Sequence, residues 1–344
     1  MLSSSLPIHD FLEAAESLPV IDVRSPSEYK HGHIPGAHNI PLFDDEERAE
    51  IGTIYKQQNR DEAFKRGLEF VGPKMRTFVE RAEEIAPERE LLLNCWRGGM
   101  RSSSFGWLLE SAGFKTHTLE NGYKAFRNFV LDLFQKQYNI LILSGYTGSG
   151  KTEILQALQQ LGEQVIDLEG LANHKGSAFG HLGEDEQPSG EHFQNKLGMR
   201  LYQIEEKNPL WLEDESRFIG RRIIPNDFFK QMRKATVFRV EIPKEIRIKR
   251  LVDDYGAYPK EKLENSILKI EKRLGGLRTQ QAIEALENDN LATVADYVLH
   301  YYDKAYDHGI SKRDDEKVHY LPFDEIKADE IAHLLKEQSL AKSV

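Results

Sequence analysis

The chain has 344 residues, of which 40% are hydrophobic and 30% charged, a balance typical of globular proteins and a length that suits two domains. Its 46 Lys and Arg against 56 Asp and Glu give a net charge of −10, which argues against a generally basic nucleic-acid-binding protein but leaves room for a local basic surface. A single cysteine excludes an intramolecular disulfide framework and a cysteine-rich zinc site. The apolar runs are too short to cross a bilayer and the N-terminus lacks a signal-peptide layout, so we expect a soluble, cytoplasmic protein without a membrane segment.

Short apolar strands, each followed by a helical pattern, recur along the chain and predict parallel α/β sheets. The predicted strands are Val20–Val23, Leu91–Cys95, Ile140–Leu143, Gln164–Asp167, Pro209–Leu212 and Thr236–Val240. Residues 44–76 predict a charged helical insertion, and the domain boundary is expected within Tyr123–Gln137. From Tyr255 onward the pattern is mostly helical, with a tail after Lys336 that we expect to fray.

The only cysteine, Cys95, follows a predicted strand and opens a glycine-containing loop that ends at Arg101 and leads into a helix. A thiol in that position faces converging backbone N–H groups and lies beside Arg97 and Arg101, and both features stabilise a thiolate. We therefore predict a lowered thiol pKa and a reactive nucleophile. The alternative is a buried structural cysteine that acts as a small hydrophobic residue.

The segments Asp22–Tyr29 (DVRSPSEY) and Gly32–Pro41 (GHIPGAHNIP) resemble the N-terminal signature of rhodanese domains, and Cys95 lies where that family keeps its persulfide-forming cysteine. We expect Asp22 to fix loops by hydrogen bonding. Five residues separate Cys95 from Arg101, whereas many sulfur-transferring rhodaneses have four. The longer ring is found in rhodanese-like phosphatases and suits a tetrahedral oxyanion, so both a phosphatase and an enzyme using a phosphorylated chalcogen donor stay open.

The segment from Gly145 to Thr152 matches the phosphate-binding P-loop in full, with an apolar strand before it and a helical pattern after it. Its glycines let backbone N–H groups converge on phosphate oxygens, and the helix N-terminus adds the positive end of its dipole. Lys151 can reach the terminal phosphates, and Thr152 is placed to hold Mg²⁺. The predicted phosphate-binding residues of the loop are Gly145, Gly148, Ser149, Gly150, Lys151 and Thr152.

An acidic residue at the end of a neighbouring strand is expected to hold the magnesium ion through water. The candidates are Glu213, Asp214 and Glu215, which follow a predicted strand, and we assign Glu213 and Asp214 to the phosphate site. The pattern does not decide which carboxylate serves the metal. No Asn-Lys-x-Asp guanine-recognition motif follows Val240, which disfavours a GTPase.

Basic residues are concentrated in one stretch of this acidic chain. Residues 217–250 contain eleven Lys or Arg and three Asp or Glu, a local net charge of +8 that suits contact with a nucleic-acid backbone. An ordinary solvated surface is the alternative. The adjacent Phe228 and Phe229 can stack on an unpaired base, although such pairs are more often core. The candidate RNA contacts are Arg217, Arg221, Arg222, Arg233, Lys234 and Arg247.

A rhodanese signature followed by a P-loop, together with Leu168–Gly180, Glu213–Arg217 and Arg273–Arg278, resembles the tRNA 2-selenouridine synthase family over nearly the whole chain. The resemblance implies an α/β fold with an N-terminal rhodanese-like parallel-sheet domain at 8–134 and a P-loop NTPase-like domain with a helical C-terminal region at 138–340. One departure is Lys175, which stands where we expect Arg and keeps the charge but not the bidentate phosphate contact.

The resemblance also implies the reaction: conversion of 2-thiouridine to 2-selenouridine at the wobble position of tRNA, with selenophosphate as selenium donor. The intermediate would be S-geranyl-2-thiouridine made from geranyl diphosphate, because alkylation turns the sulfur into a leaving group. Cys95 would deliver selenium or assist thiol release, and Arg97 and Arg101 would hold the donor's phosphate. The implied partners are a tRNA carrying wobble 2-thiouridine and an enzyme that produces selenophosphate.

Three points stay open at this stage. Whether the P-loop binds a nucleotide or geranyl diphosphate is not readable from the motif. A P-loop kinase or ATPase with a rhodanese-like phosphatase or sensor domain would release phosphate through Cys95 without RNA. A sulfur-carrier module whose P-loop only senses nucleotide would bind without turnover. A persulfide relay to a second cysteine within the chain is excluded, because the chain has none.

Overall fold

The computed structural model describes residues 4–342. They form two compact units, one made of the residues up to Leu133 together with Ser189–Met199, and the other of Phe134–Pro188 together with the residues from Arg200 onward. Each unit is built on a five-stranded sheet in which every strand pair is parallel, which confirms the predicted α/β class. Within residues 4–342, no helix is both long and apolar enough to span a membrane.

The first unit has the strand order β1-β5-β4-β2-β3. Its strands are β1 (Ser4–Leu6), β2 (Val20–Asp22), β3 (His38–Asn39), β4 (Glu90–Asn94) and β5 (Lys115–Leu119). Its helices are α1 (Ile8–Ala14), α2 (Pro26–His31), α3 (Asp45–Gln57), α4 (Arg60–Val71), α5 (Met75–Ile85), α6 (Met100–Ser111) and α7 (Gly122–Leu133). The helical insertion predicted at 44–76 is confirmed by α3 and α4, each of which begins at an Asp or Asn side chain that caps its first turn.

The centre of the first sheet explains why β4 has no alternating pattern. Leu91, Leu92 and Leu93 are all fully buried, because helices cover both faces of this parallel sheet. On one face Leu91 and Leu93 join a cluster with Phe78 of α5 and Phe105 of α6. This packing holds the end of β4, and therefore the residue that follows it, in a fixed position.

The second unit has the strand order β12-β11-β6-β8-β7, with a separate antiparallel pair formed by β9 and β10. Its strands are β6 (Ile140–Gly145), β7 (Gln164–Ile166), β8 (Leu210–Glu213), β9 (Phe218–Ile219), β10 (Arg222–Ile223), β11 (Thr236–Glu241) and β12 (Val318–Pro322). The helices along this part of the chain are α8 (Lys151–Gln160), α9 (Leu168–Ala172), α10 (Gly190–Tyr202), α11 (Asn226–Lys234), α12 (Lys244–Tyr255), α13 (Lys260–Lys269), α14 (Glu271–Leu274), α15 (Gly276–Glu287), α16 (Leu291–Ile310) and α17 (Ala328–Lys342).

All six predicted strands are confirmed within a residue or two of their bounds, but the largely helical C-terminal region hides a strand. β12 pairs with β11 in parallel, with Val318 opposite Val237, and forms an edge of the sheet. The predicted fraying after Lys336 is wrong, because α17 continues to Lys342. The helix is held because Ile331 and Leu335 are fully buried in the core beside α8.

Most of α10 belongs to the first unit, although it lies in the sequence of the second. Its buried Asn195 donates through Nδ2 to the carbonyl of His33 (3.0 Å) and to the hydroxyl of Tyr123 (2.7 Å). Arg127 Nη1 donates in turn to Asn195 Oδ1 (2.8 Å). The His192 ring stacks on the His33 ring, with 3.9 Å between their centroids. These polar contacts anchor Ser189–Met199, and no local pattern indicates them.

We expect this histidine stack to make stability depend on pH. Burial, with the nearby His33 and Lys196, lowers the pKa of His192 to about 4 from its ordinary 6.5. The unfolded chain therefore takes up a proton on His192 at a higher pH than the folded chain does. The stability contributed by the neutral His192 is complete above about pH 6.5 and is lost as the pH falls toward 4. His192→Asn should therefore show a smaller drop in urea midpoint between pH 6.5 and 4.5 than wild type. The exposed His38→Asn should follow wild type, and equal slopes for all three proteins would contradict this expectation.

Candidate functional site

The P-loop connects β6 to α8, and two of its glycines have conformations that other residues rarely adopt. Gly148 has φ 82° and Gly150 has φ 79°. α8 begins at Lys151, so the unpaired N–H groups of its first turn lie at the loop. Ser149 is buried, and among residues 4–342 its hydroxyl has no hydrogen-bond partner. The loop therefore presents donors without an internal acceptor, as an anion site requires.

Lys151 is surrounded by acidic groups. Its Nζ donates to the carbonyl of Gly145 (3.2 Å) and lies 5.3 Å from the centre of the Tyr306 ring. Burial alone would lower the pKa of Lys151, but the acidic groups around it, Tyr306 and Glu169 foremost, raise it above its usual value. The side chain of Lys151 is therefore positively charged at neutral pH, which suits it to bind phosphate oxygens.

Three glutamates approach this lysine, and two of them converge. A Cβ on Gly176 would lie 2.6 Å from Glu169 Oε1 and 3.0 Å from Glu215 Oε2, so only glycine fits there, with φ 62°. Glu213 is fully buried, and both its carboxylate oxygens lack a hydrogen-bond partner within the described part of the chain. Burial first, and then the charge of Glu169, raises the pKa of Glu213 well above its ordinary value.

Asp214 differs from its neighbours because its charge is already balanced. It accepts hydrogen bonds from Ser144 Oγ (2.9 Å) and from the buried guanidinium of Arg313. The structure therefore favours Glu213 over Asp214 as a group with free acceptors. No set of three or more His, Cys, Asp or Glu in residues 4–342 is arranged as a metal site. That does not conflict with Mg²⁺ at a P-loop, which keeps several water and phosphate ligands.

A cavity of about 1440 Å³ opens beside the P-loop within the second unit. Four of the six predicted RNA-contacting residues line it: Arg217, Arg221, Arg222 and Arg233. Lys234 is exposed but lies outside the lining. Lys175 also lines the cavity, with its Nζ 3.3 Å from Glu184 Oε1.

The structure contradicts the prediction that Arg247 contacts RNA, and it shows different environments for the two residues of the aromatic pair. Arg247 is only 3% exposed, and its guanidinium makes two 2.9 Å bonds with the Asp303 carboxylate, so it cannot contact RNA. Arg247 instead donates to the carbonyl of Thr147 and thereby stabilises the backbone of the P-loop. Of the aromatic pair, Phe228 is fully buried core, whereas Phe229 lines the cavity.

The cysteine loop joins β4 to α6 in the first unit. Cys95 is 2% exposed, and its Sγ lies 3.2 Å from the hydroxyl of Ser102. The start of α7 holds the loop from behind, because Tyr123 N donates to the carbonyl of Cys95 (2.8 Å) and Lys124 N to that of Trp96 (3.1 Å). All described peptide bonds are trans, so the N–H groups that follow these carbonyls point to the opposite side.

The two arginines of this loop are placed differently. Arg97 is exposed, and no ion pair holds it among the residues that the structure describes. Arg101 Nη1 lies 2.7 Å from Glu28 Oε2. Burial would raise the pKa of Glu28, but the hydrogen bonds and charge of Arg101 lower it, so the carboxylate stays ionised and balances Arg101. Arg97 is therefore the loop arginine with an uncompensated charge.

Asp22 fixes loops, as predicted. It accepts from the backbone N–H of Arg24 (3.0 Å) and from its guanidinium (2.6 Å), and both side chains are buried. Arg24 also donates to the carbonyl of Gly32 and lies 3.7 Å from the centre of the Tyr123 ring. This pair therefore links the N-terminal signature to the helix that supports the cysteine loop.

Sequence reasoning missed Glu169, Ser102 and Tyr306. Glu169 lies in Leu168–Gly180, a segment noticed only for its family resemblance, and Ser102 directly follows the cysteine loop. Tyr306 gives no signal, since it is one tyrosine of several on α16.

These sites define a protein that combines a rhodanese-like domain with a P-loop domain. Residues 8–129 match the family model for the rhodanese-like domain, and residues 138–339 match that for the tRNA 2-selenouridine synthase AAA domain. The chain is 35% identical to the tRNA 2-selenouridine synthase of Shewanella denitrificans, over 88% of this chain and 90% of that one. It is 37% identical to that of Bdellovibrio bacteriovorus, over 80% and 82%. The chain belongs to the tRNA 2-selenouridine synthase family.

Gly122 is the position where we expect the cysteine loop to be most sensitive. Its φ is 59°, and a Cβ there would lie 2.2 Å from the carbonyl oxygen of Cys95. Gly36 has φ 83° with nothing within 4 Å, so Gly36→Ala tests the backbone strain alone, about 1–2 kcal/mol. Gly122→Ala should add about 1–3 kcal/mol of steric strain and displace the loop. Equal urea midpoints for the two variants would contradict the close contact between Gly122 and the cysteine loop.

The reactivity of Cys95 stays a prediction, and the single cysteine makes it simple to measure. At one fixed pH near neutrality, Arg97→Ala should slow the alkylation of Cys95 by iodoacetamide, because the charge of the exposed Arg97 favours a thiolate and no described carboxylate balances it. Arg76→Ala, on α5 and paired with Glu80, is the control and should keep the wild-type rate. Equal rates for all three proteins would indicate a structural thiol.

Proposed function

We propose that this protein is a tRNA-modifying transferase that converts wobble 2-thiouridine to 2-selenouridine through an S-geranyl intermediate. Geranyl diphosphate and selenophosphate are its co-substrates. One observation carries the proposal: a chain of this family has both a P-loop beside a large cavity and a thiol on a loop sized for an oxyanion. The P-loop suits departure of a diphosphate, and the cysteine loop suits a phosphorylated selenium donor.

The P-loop is assigned to the geranyl diphosphate. In the first step the thiouridine sulfur attacks C1 of the geranyl group, the C–O bond breaks, pyrophosphate leaves with the electron pair, and the N3 proton of the base is lost. Negative charge grows on the leaving diphosphate. Backbone N–H groups at the start of α8 and the protonated Lys151 are placed to stabilise that charge.

The residues around the P-loop also suit Mg²⁺. Thr152 lines the cavity, and the buried Glu213 offers carboxylate oxygens that no described residue engages. Oxygen ligands of this kind are those that Mg²⁺ prefers. Thr152 would bind the ion directly and Glu213 through water, and the ion would supply further charge neutralisation for the diphosphate.

The Cys95 loop is assigned to selenium transfer. The selenium of selenophosphate attacks C2 of the alkylated base, the C2–S bond breaks, and geranyl thiol leaves with a proton, whereas an unalkylated thiocarbonyl sulfur leaves poorly. Water then attacks phosphorus, the P–Se bond breaks, and phosphate is released while selenium stays on C2. The exposed Arg97 is suited to hold the phosphate of the donor, with Arg101 closing the ring. Ser102, 3.2 Å from the thiol, can orient it by hydrogen bonding. With one cysteine in the chain, Cys95 acts without an internal resolving thiol.

The remaining proposals concern organisation. We propose domain ranges of 8–134 and 138–340, a cytoplasmic location where the tRNA is found, and a selenophosphate-producing enzyme as the upstream partner. Arg217, Arg221, Arg222, Arg233 and Lys234 remain proposed tRNA contacts, supported by the position of the first four in the cavity lining.

Nucleoside mass analysis of 2-thiouridine tRNA tests the two assignments separately. With both co-substrates, wild type should yield 2-selenouridine and Cys95→Ala should accumulate the S-geranyl nucleoside. Lys151→Ala should leave 2-thiouridine, with geranylation reduced by about 10²-fold or more because a charge-stabilising group is lost. Lys249→Ala, an exposed lysine outside the cavity, is the matched control.

A different result would favour a different enzyme. If wild type leaves the thiouridine untouched but releases phosphate from small esters through Cys95, a P-loop kinase or ATPase with a rhodanese-like phosphatase domain replaces this proposal. Nucleotide binding without any turnover would indicate a sulfur-carrier module.

A further inference from the structure

The cavity beside the P-loop is larger than a diphosphate ligand needs. Small-molecule sites are typically about 300–1,000 Å³, whereas this cavity is about 1440 Å³. Its walls come from the P-loop, the β9–β10 pair, α11, α14 and α16. The volume leaves space for a second molecule next to the one bound by the P-loop.

The cavity lining is basic in a chain that is acidic. Eleven Lys or Arg and six Asp or Glu line it, a net charge of +5, against −10 for the whole chain. This excess exceeds what one diphosphate requires, given that Lys151 and the loop amides already serve that group. A polyanion is therefore the ligand whose charge matches the remaining lining.

Five of these cations have neither an ion pair nor a side-chain hydrogen bond within residues 4–342: Arg217, Arg221, Arg222, Lys272 and Lys312. The other lining cations are engaged, for example Arg250 with Glu153 and Arg273 with the hydroxyl of Tyr301. The Nε of Arg222 is buried and has no hydrogen-bond partner among the described residues. Free cations on several walls of one cavity are suited to phosphates that pass along it.

Aromatic rings line the same cavity as these cations. Phe229, Tyr255, Tyr301 and Tyr302 line the cavity, and Phe218, 56% exposed, stands on β9. Cationic side chains interleaved with aromatic rings are the features by which proteins bind single-stranded nucleic acid, since every base has a face that can stack. A lipid chain alone would not require the charges, and a diphosphate alone would not require the rings.

We propose that the anticodon strand enters this cavity, with the wobble nucleotide turned out of its stack to lie beside the P-loop. The flanking phosphates are held by the five free cations, including Lys272 and Lys312, which no sequence motif indicates. This inference rests on the proposed function, because alkyl transfer requires the sulfur and C1 of the geranyl group within about 3–3.5 Å. Both substrates must then occupy one chamber, and this cavity has the volume and lining for both.

Photo-cross-linking locates the nucleotide directly. The full chain is irradiated with an anticodon stem-loop RNA that carries 5-iodouridine at the wobble position, in the presence of inorganic pyrophosphate. Cross-links mapped by mass spectrometry should fall on aromatic residues of the cavity, such as Phe229, Tyr301 or Tyr302. Cross-links found only in the first unit, or only on residues outside the cavity, would overturn the inference.

A charge-removal pair supplies an independent readout. For Lys272→Ala/Lys312→Ala, the slope of log K against log salt for this RNA should fall by about 0.7 for each phosphate that the variant no longer neutralises. Geranyl diphosphate binding, measured by calorimetry, should be unchanged. Lys207→Ala/Lys249→Ala, two exposed lysines outside the cavity, should keep the wild-type slope.

The outcomes separate this inference from the proposed function. A wild-type slope for the Lys272/Lys312 variant, with normal geranylation, would overturn the cavity as the RNA site and leave the reaction intact. Failure of wild type to geranylate tRNA would instead contradict the proposed reaction, while the cross-link position would still decide where the RNA lies.

Discussion

Both candidate sites depend on one constraint: at the carboxyl edge of a parallel sheet, each of these strands is followed by a loop and then by a helix. The helix leaves its first N–H groups unpaired at that edge. β4 leads through the cysteine loop into α6, and β6 leads through the P-loop into α8. The protein thus uses the same backbone arrangement twice, once to surround a thiol and once to form a P-loop. The side chains around each loop decide which chemistry it supports.

Pairing decides which charges remain for substrates. Buried pairs such as Asp22 with Arg24 and Asp214 with Arg313 hold loops and sheet ends in place, and their charges are balanced inside the protein. Leaving either partner alone in the interior would be strongly unfavourable, so such groups serve structure. Several of the cations left without carboxylate partners line the cavity beside the P-loop. The distribution of unpaired charge is therefore a better guide to ligands than the net charge of −10.

In the reaction that we propose, the two sites carry out different steps. Displacing sulfur from a thiocarbonyl is difficult, and alkylation removes that difficulty at the expense of a diphosphate, which needs a preorganised anion site. Selenium transfer needs a different environment, where a phosphorylated donor meets a thiol. In our proposal the P-loop and the cysteine loop provide these two environments, and the single cysteine limits the second step to chemistry at one thiol.

The sequence by itself determined the two loops, six of the strands and the family, because each loop is a contiguous motif and these strands are short segments rich in apolar residues. Only the tertiary structure decided that Ser189–Met199 joins the first unit and that β12 completes the second sheet. It also decided that Arg247 is buried against Asp303, and that Tyr306 lies over Lys151. The reason is physical: local backbone geometry is encoded in neighbouring residues, whereas burial and charge pairing depend on side chains that lie far apart in sequence and meet only when the chain folds.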